Sequence, residues 1–236
     1  MWSHPIVSSI TADTPLCPTC NSPSVKNGHA NGRQRLKCTS CKRCFMEHYR
    51  YPACIRNMDA DIAAHIREGC GIRSIARLLG IGPATVVRRI RRIADRIAPP
   101  ISDKGLEYEI DELCTYIGSR TNVQWIIYAL ERTTKMVAAF TVGSRTSVVL
   151  GTVTSVVLES EPVRIHTDKL PGYAYLIPRD VHRMRPYGTN HIERKNVSIR
   201  THVKRLARRT ICYSKRSDML EACMKIYFWY GATRVM

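Results

Sequence analysis

LEYEIDELCTYIG, residues 106–118, is the stretch on which the fold turns. Leu106, Tyr108 and Ile110 alternate with Glu107, Glu109 and Asp111, the period of two expected of a strand. VQWIIYALE (123–131) and KMVAAFTVG (135–143) read as two further strands. The short connectors SRTN and RTT make the three an antiparallel meander. TSVVLGTVTSVVLES (146–160) then reads as a helix, although its β-branched content disfavours one and tertiary context must override propensity. VRIHTD (163–168) is a strand, a short helix follows near Tyr173 to Ile177, and another strand lies near 180–185. NHIERKNVSIRTHVKRL (190–206) closes the series as a basic helix. The order β-β-β-α-β-α-β-α predicts an α/β domain with a mixed five-stranded sheet over residues 106–236.

Upstream, Ala98-Pro99-Pro100 cannot continue a helix and marks a domain boundary. GCGIRSIARLLGIGPATVVRRIRRIADRI (69–97) precedes it. Ile72, Ile75, Ala76 and Leu79 recur at helical spacing, Gly80-Ile81-Gly82 is a tight turn, and Pro83 suits the first turn of a second helix. Val86, Val87, Ile90, Ile93 and Ala94 form that helix's apolar face. An all-α helix-turn-helix over 51–98 is therefore expected, with its second helix in a DNA groove. Arg88, Arg89, Arg91 and Arg92 are the expected DNA contacts, with Asp95 the only acid nearby in sequence. An ordinary helical hairpin with a solvated arginine face is the alternative.

Residues 1–14 read as an unstructured lead-in, and residues 15–50 hold C-x2-C-x17-C-x2-C. Two such knuckles supply the corners of a tetrahedron, so Cys17, Cys20, Cys38 and Cys41 are the expected ligands of a structural Zn2+ in a small zinc ribbon. Cys44 extends the second knuckle and is read as a bystander, with a ligand swap with Cys41 as the alternative. The whole chain of 236 residues carries 37 Lys+Arg against 19 Asp+Glu, a net charge of +18. That excess favours a polyanionic partner, nucleic acid before membrane. No run of eighteen apolar residues and no secretory signal is visible, and ten cysteines without an export signal point to thiols and metal. A cytoplasmic location is expected.

Three acids fall at informative places. Asp111 lies inside a strand, Asp168 ends another, and Glu193 opens the basic helix. Sites in open α/β sheets gather at strand carboxyl ends. Three convergent carboxylates suit two Mg2+ ions clamping an in-line phosphoryl displacement. Glu193 also suits a plainer role, as a first-turn acid complementing the helix dipole. Ile192, Ile199, Val203 and Leu206 share one helical stripe facing a core, and Glu193, Asn196, Arg200 and Lys204 share the next. Arg200 is placed to hold a phosphate beside the metal, and Lys204 to contact DNA.

Together these motifs resemble transposases of the insertion-sequence-one family. The resemblance rests on the cysteine pattern, GCGIRSIARLLGIG, IDELCTYIG, HTD and HIERKNVSIRTHVKRLARR in that order. It implies a zinc-finger and helix-turn-helix part ahead of an RNase H-like DDE catalytic domain. The family's catalytic acids map to Asp111, Asp168 and Glu193, holding Mg2+ or Mn2+, its basic residue to Arg200, and its zinc ligands to Cys17, Cys20, Cys38 and Cys41. Lys169-Leu170 departs from the Gly-Trp that family members tend to carry after the second aspartate. The implied function is a bacterial, nucleoid-associated DNA transposase that binds terminal inverted repeats and cleaves and joins DNA. Its partners are element ends and target DNA, and a homodimer or higher oligomer is expected because two ends must be held. The alternatives are a zinc-dependent DNA-binding regulator and an RNase H-like nuclease without strand transfer.

Overall fold

The structure, a computed structural model, describes residues 14–54, 57–207, 210 and 212–231. The expected lead-in lies outside these residues except for Thr14. The chain divides near residue 55 into two compact units.

The first unit is a three-stranded antiparallel sheet of β1 (Ser24–Ala30), β2 (Arg33–Cys38) and β3 (Cys44–Met46), in that order. Its apolar core is Leu36 opposite Phe45, with Cys17 and Cys38. So little buried surface cannot offset the conformational entropy of ordering the segment, so the unit needs a further staple.

The second unit begins with α1 (Met58–Arg67), α2 (Ile72–Leu78) and α3 (Pro83–Arg96). Gly80, at φ +62°, makes the turn between α2 and α3, and Pro83 occupies the first turn of α3 as expected. Val86, Ile90, Ile93 and Ala94 are buried.

The five-stranded sheet comprises β4 (Glu107–Ile117), β5 (Ser119–Glu131), β6 (Val137–Gly143), β7 (Arg164–His166) and β8 (His182–Arg183). Their order is β6-β5-β4-β7-β8, with β4, β5 and β6 antiparallel and β4, β7 and β8 parallel. The mixed sheet read from the sequence is thus present. Four helices cover it: α4 (Ser147–Glu159), α5 (Pro171–Leu176), α6 (Asn190–His202) and α7 (Ser217–Trp229).

The pleat of β4 sorts its side chains between two cores. Tyr108 and Ile110 pack with Leu150, Val153 and Val157 of α4 and Tyr173 of α5. Leu113 on the other face packs with Ile192 and Ile199 of α6 and Leu220 and Met224 of α7. Burying each such side chain contributes about 1.5–3 kcal/mol. The spacing of Leu150, Val153, Thr154 and Val157 explains how a β-branched segment becomes helical: all four are buried along one stripe. The Thr146 hydroxyl caps that helix by accepting the Val149 N–H.

The sequence reading needs correction at three places. Ser119–Asn122 are not a connector, because the chain reverses at Gly118 (φ +73°) and these residues already belong to β5. The basic helix stops at His202. Val203 leaves helical geometry, and Lys204–Leu206 form a separate 3-10 turn, so Lys204 does not share the stripe of α6. Ile192, Ile199, Val203 and Leu206 are nonetheless all buried. The helix α7 is a further element, beyond those expected from the sequence.

Candidate active site

The structure brings Asp111 and Asp168 together, with Glu112 beside them. One carboxylate oxygen of each lies within 4.8 Å of the others. Parallel pairing of β4 with β7 makes this possible, since it brings the residues just beyond Ile165 and His166 alongside the middle of β4. Asp111 Oδ1 accepts the Glu112 backbone N–H at 2.8 Å, and Oδ2 accepts the Asn196 side-chain N–H at 2.7 Å. Asn196 is in turn aimed by the Tyr128 hydroxyl, which donates to its Oδ1 at 2.8 Å. Asp168 Oδ1 accepts the Leu170 N–H at 2.9 Å, an Asx turn that fixes the carboxylate after the strand.

Glu112 has a buried side chain and two partners. Arg145 donates to Oε2 from Nε at 3.1 Å and from a terminal nitrogen at 2.8 Å. The Tyr173 hydroxyl donates to Oε1. The same Arg145 nitrogen lies 3.9 Å from Asp168 Oδ2, and its guanidinium stacks 4.7 Å above the Trp125 ring. A fixed cation therefore sits between two of the three acids. Even so, negative charge is in excess: burial, then the Glu112 and Asp168 carboxylates, push Asp111 up to about 6. Burial likewise raises Tyr173 well above the ordinary phenol range.

Glu193 lies outside this group. It is exposed, and its Oε1 accepts the Thr189 hydroxyl at 2.8 Å. From α6 it is Asn196, one turn further along, that touches Asp111. The first turn of α6 is anchored by Glu109, whose fully buried carboxylate accepts the Ile192 N–H at 2.8 Å and pairs with Arg132 at 3.0 Å. A carboxylate there satisfies an orphan N–H and complements the helix dipole. Arg200 donates to the Leu206 carbonyl at 3.3 Å, tying the 3-10 turn back to α6.

Three arginines of α3 pair with acids other than Asp95. Arg89 and Arg92 both pair with Asp59 of α1, and Arg91 pairs with Asp218 of α7 at 2.9 Å. These acids are distant in sequence, and only folding brings them to α3. Arg88 and Lys204 are exposed.

In the first unit, Cys17 and Cys41 sulfurs lie 3.6 Å apart and those of Cys20 and Cys38 3.4 Å apart, with all four within 4.8 Å of one another. Four thiolates about 2.3 Å from zinc would lie about 3.8 Å apart. Backbone N–H groups of Thr19 and Cys41 donate to the sulfurs of Cys17 and Cys38 at 3.4 Å, as suits thiolates. Cys44 stands apart on β3, where its sulfur accepts from Asn27.

The family model described as "IS1 transposase" matches residues 106–230, the stretch that supplies Asp111, Glu112, Asp168, Asn196 and Glu193. The chain belongs to the IS1 transposase family. Membership extends to individual relatives. The InsB protein of insertion element iso-IS1n from Shigella dysenteriae is 33% identical over 113 residues, 48% of this chain and 86% of that protein. InsB of IS1 4 from Escherichia coli (strain K12) is 32% identical over 131 residues, 56% of this chain and 78% of that protein. Among solved structures, the HTLV-2 integrase catalytic core domain in complex with magnesium aligns at TM-score 0.34 and 13% identity, covering 53% of this chain and 84% of that one. A simian T-cell lymphotropic virus intasome chain aligns at TM-score 0.32 and 16% identity, covering 60% and 59%. Among the described residues, no helix is long and apolar enough to cross a membrane.

Proposed function

We propose that the chain is a DNA transposase that binds the terminal inverted repeats of its insertion sequence and uses a divalent metal to cut and join DNA. One observation carries this reading: the segment matched by the IS1 transposase model is the one that gathers the Asp111 and Asp168 carboxylates. The sheet order, with an antiparallel β6-β5-β4 meander and β7 and β8 parallel to β4, agrees with the RNase H-like domain that the resemblance implies.

The acidic cluster fits a hard divalent cation. Its donors are all carboxylate oxygens, the ligand type that Mg2+ and Mn2+ take, and a guanidinium already stands between two of them. Asp111 and Asp168 would hold the metal, with Glu193 reaching them after leaving Thr189. When bound, the metal stabilises the charge that develops on the attacking and leaving oxygens. Asn196 and the Glu112 N–H orient Asp111, the Asx turn orients Asp168, and Arg200 is the proposed phosphate contact. The four thiolates of Cys17, Cys20, Cys38 and Cys41 fit structural Zn2+ by donor type and spacing. Arg88, Arg89, Arg91, Arg92 and Lys204 are the proposed DNA contacts, and a dimer or larger assembly would hold the two ends.

A strand-transfer assay tests the reading. Linear DNA bearing the element ends, incubated with a supercoiled target and Mg2+, is expected to yield joined products. Glu193→Ala is expected to abolish joining while leaving end binding intact. Cleavage without joining by the unaltered chain would instead indicate a nuclease, and specific binding without cleavage a regulator.

A further inference from the structure

The basic cavity on the far side of α6 has no part in the acidic centre. It encloses about 520 Å³ between α1, the β5–β6 turn, α6 and α7, within the size range of ligand clefts. Lys195 and His202, seven residues apart, share one stripe of α6 and face it with Arg67 and Lys135, while Glu68 is the acid in its wall. Among the described residues, neither Lys195 nor Arg67 has an ion-pair partner or a hydrogen bond to its side chain. Lys135 donates to the Arg132 carbonyl. Burial alone holds the half-buried Lys195 ammonium below the ordinary lysine range. An ammonium taken partly out of water without a counter-charge is costly, and an anion in the cavity would remove that cost.

Tyr227 of α7 and His202 of α6 add polar groups to the wall. The Tyr227 hydroxyl and His202 Nδ1 are 3.2 Å apart, and burial raises the Tyr227 pKa, which keeps the phenol neutral. Gly69, at φ +72° after α1, lies so close to α6 that a Cβ there would sit 1.8 Å from the His202 carbonyl oxygen. Asn196, next to Lys195, touches Asp111, so a single helix joins the cavity to the acidic centre.

We propose that this cavity is a second phosphate site, which takes a backbone phosphate of the DNA while the acidic centre works on the strand. The proposal rests on the transposase reading for the identity of the polyanion. The net charge of +18, together with Arg67, Lys135 and Lys195 facing the cavity, favours a phosphodiester over a carboxylate ligand.

The test is DNA binding by the full zinc-loaded chain, measured by fluorescence anisotropy of a short duplex across a salt series. Lys195→Met is expected to flatten the slope of log affinity against log salt by about 0.9, the value for one phosphate no longer neutralised. It should weaken binding at 0.1 M salt by about fivefold, uniformly across sequences. Lys104→Gln removes one positive charge at the exposed pair with Glu161 and is expected to leave the slope unchanged. Should Lys195→Met misfold, Arg67→Gln at an exposed position reads the same slope. A slope in Lys195→Met or Arg67→Gln equal to that of Lys104→Gln overturns the proposal and leaves the transposase reading standing. Absence of DNA binding by the unaltered chain overturns both. Inorganic phosphate provides the second arm. If it shifts the NMR signal of ¹³C-methylated Lys195 while the DNA slope is unaffected, the cavity is a small-anion site and the DNA proposal fails.

Discussion

Asp111→Asn should make the metal-free protein more stable at neutral pH, and the gain follows from the acidic centre. The folded chain raises Asp111 from 3.8 to about 6. Two pK units correspond to roughly 3 kcal/mol, which the folded state loses when Asp111 ionises. Asparagine carries no charge but keeps only one of the two hydrogen bonds that Asp111 accepts, a loss of about 1 kcal/mol. The net gain is about 1–2 kcal/mol at pH 7.5. The sign with pH follows from linkage. A carboxyl whose folded pKa is raised lends its full stability below the unfolded value, near 4, and loses it as pH rises through about 6. The advantage of Asp111→Asn is therefore absent at pH 4, grows between pH 4 and 6, and is flat above pH 7. Mg2+ should offset most of this advantage. At ten times its Kd it stabilises the unaltered chain by about 1.4 kcal/mol and leaves the variant unchanged. Urea unfolding at constant zinc, followed by the fluorescence of Trp125 and Trp229, reads both effects. A variant less stable than the parent at pH 7.5, or equal stabilisation of both proteins by Mg2+, would refute the reasoning.

Other expectations follow from other parts of the molecule. Cys38→Ser should lose stoichiometric zinc in a chromophoric chelator assay and collapse the NMR signals of residues 24–46, because the metal supplements a core too small to hold this unit. Gly69→Ala should cost about 3 kcal/mol or more in thermal unfolding, since alanine disfavours positive φ and its Cβ would meet the His202 carbonyl. Asp218→Asn frees Arg91 from its ion pair and should tighten DNA binding at low salt up to about fivefold, the worth of an exposed pair. Unchanged affinity would mean that Arg91 does not face the DNA.

What the sequence disclosed depended on how local the physics was. Strand alternation and the Gly80–Pro83 punctuation are local patterns, and each is present in the fold. The helix α7 escaped because Met219, Leu220, Ala222, Cys223, Met224, Ile226 and Trp229 are buried around much of its circumference. A helix packed on several sides loses the polar face that makes its period visible. The arginines of α3 looked unpaired because Asp59 and Asp218 reach them only through tertiary structure. Asp111 and Asp168 were legible as acids at strand positions. Arg145 and Tyr173 were not, since nothing in their own neighbourhoods signals a carboxylate partner. Glu193 was read at the centre, but its side chain accepts the Thr189 hydroxyl and lies outside the acidic group.

The central claim is that Asp111 and Asp168 hold a metal that cuts DNA. Mg2+-dependent cleavage of a duplex bearing the element ends, compared between the unaltered chain and Asp168→Asn at matched DNA binding, tests it most directly. Cleavage by the unaltered chain is expected, with a loss of about a thousandfold in the variant, equivalent to roughly 4 kcal/mol of transition-state stabilisation. Cleavage by Asp168→Asn at an undiminished rate, or cleavage by the unaltered chain that persists after all divalent metal is removed, would contradict it.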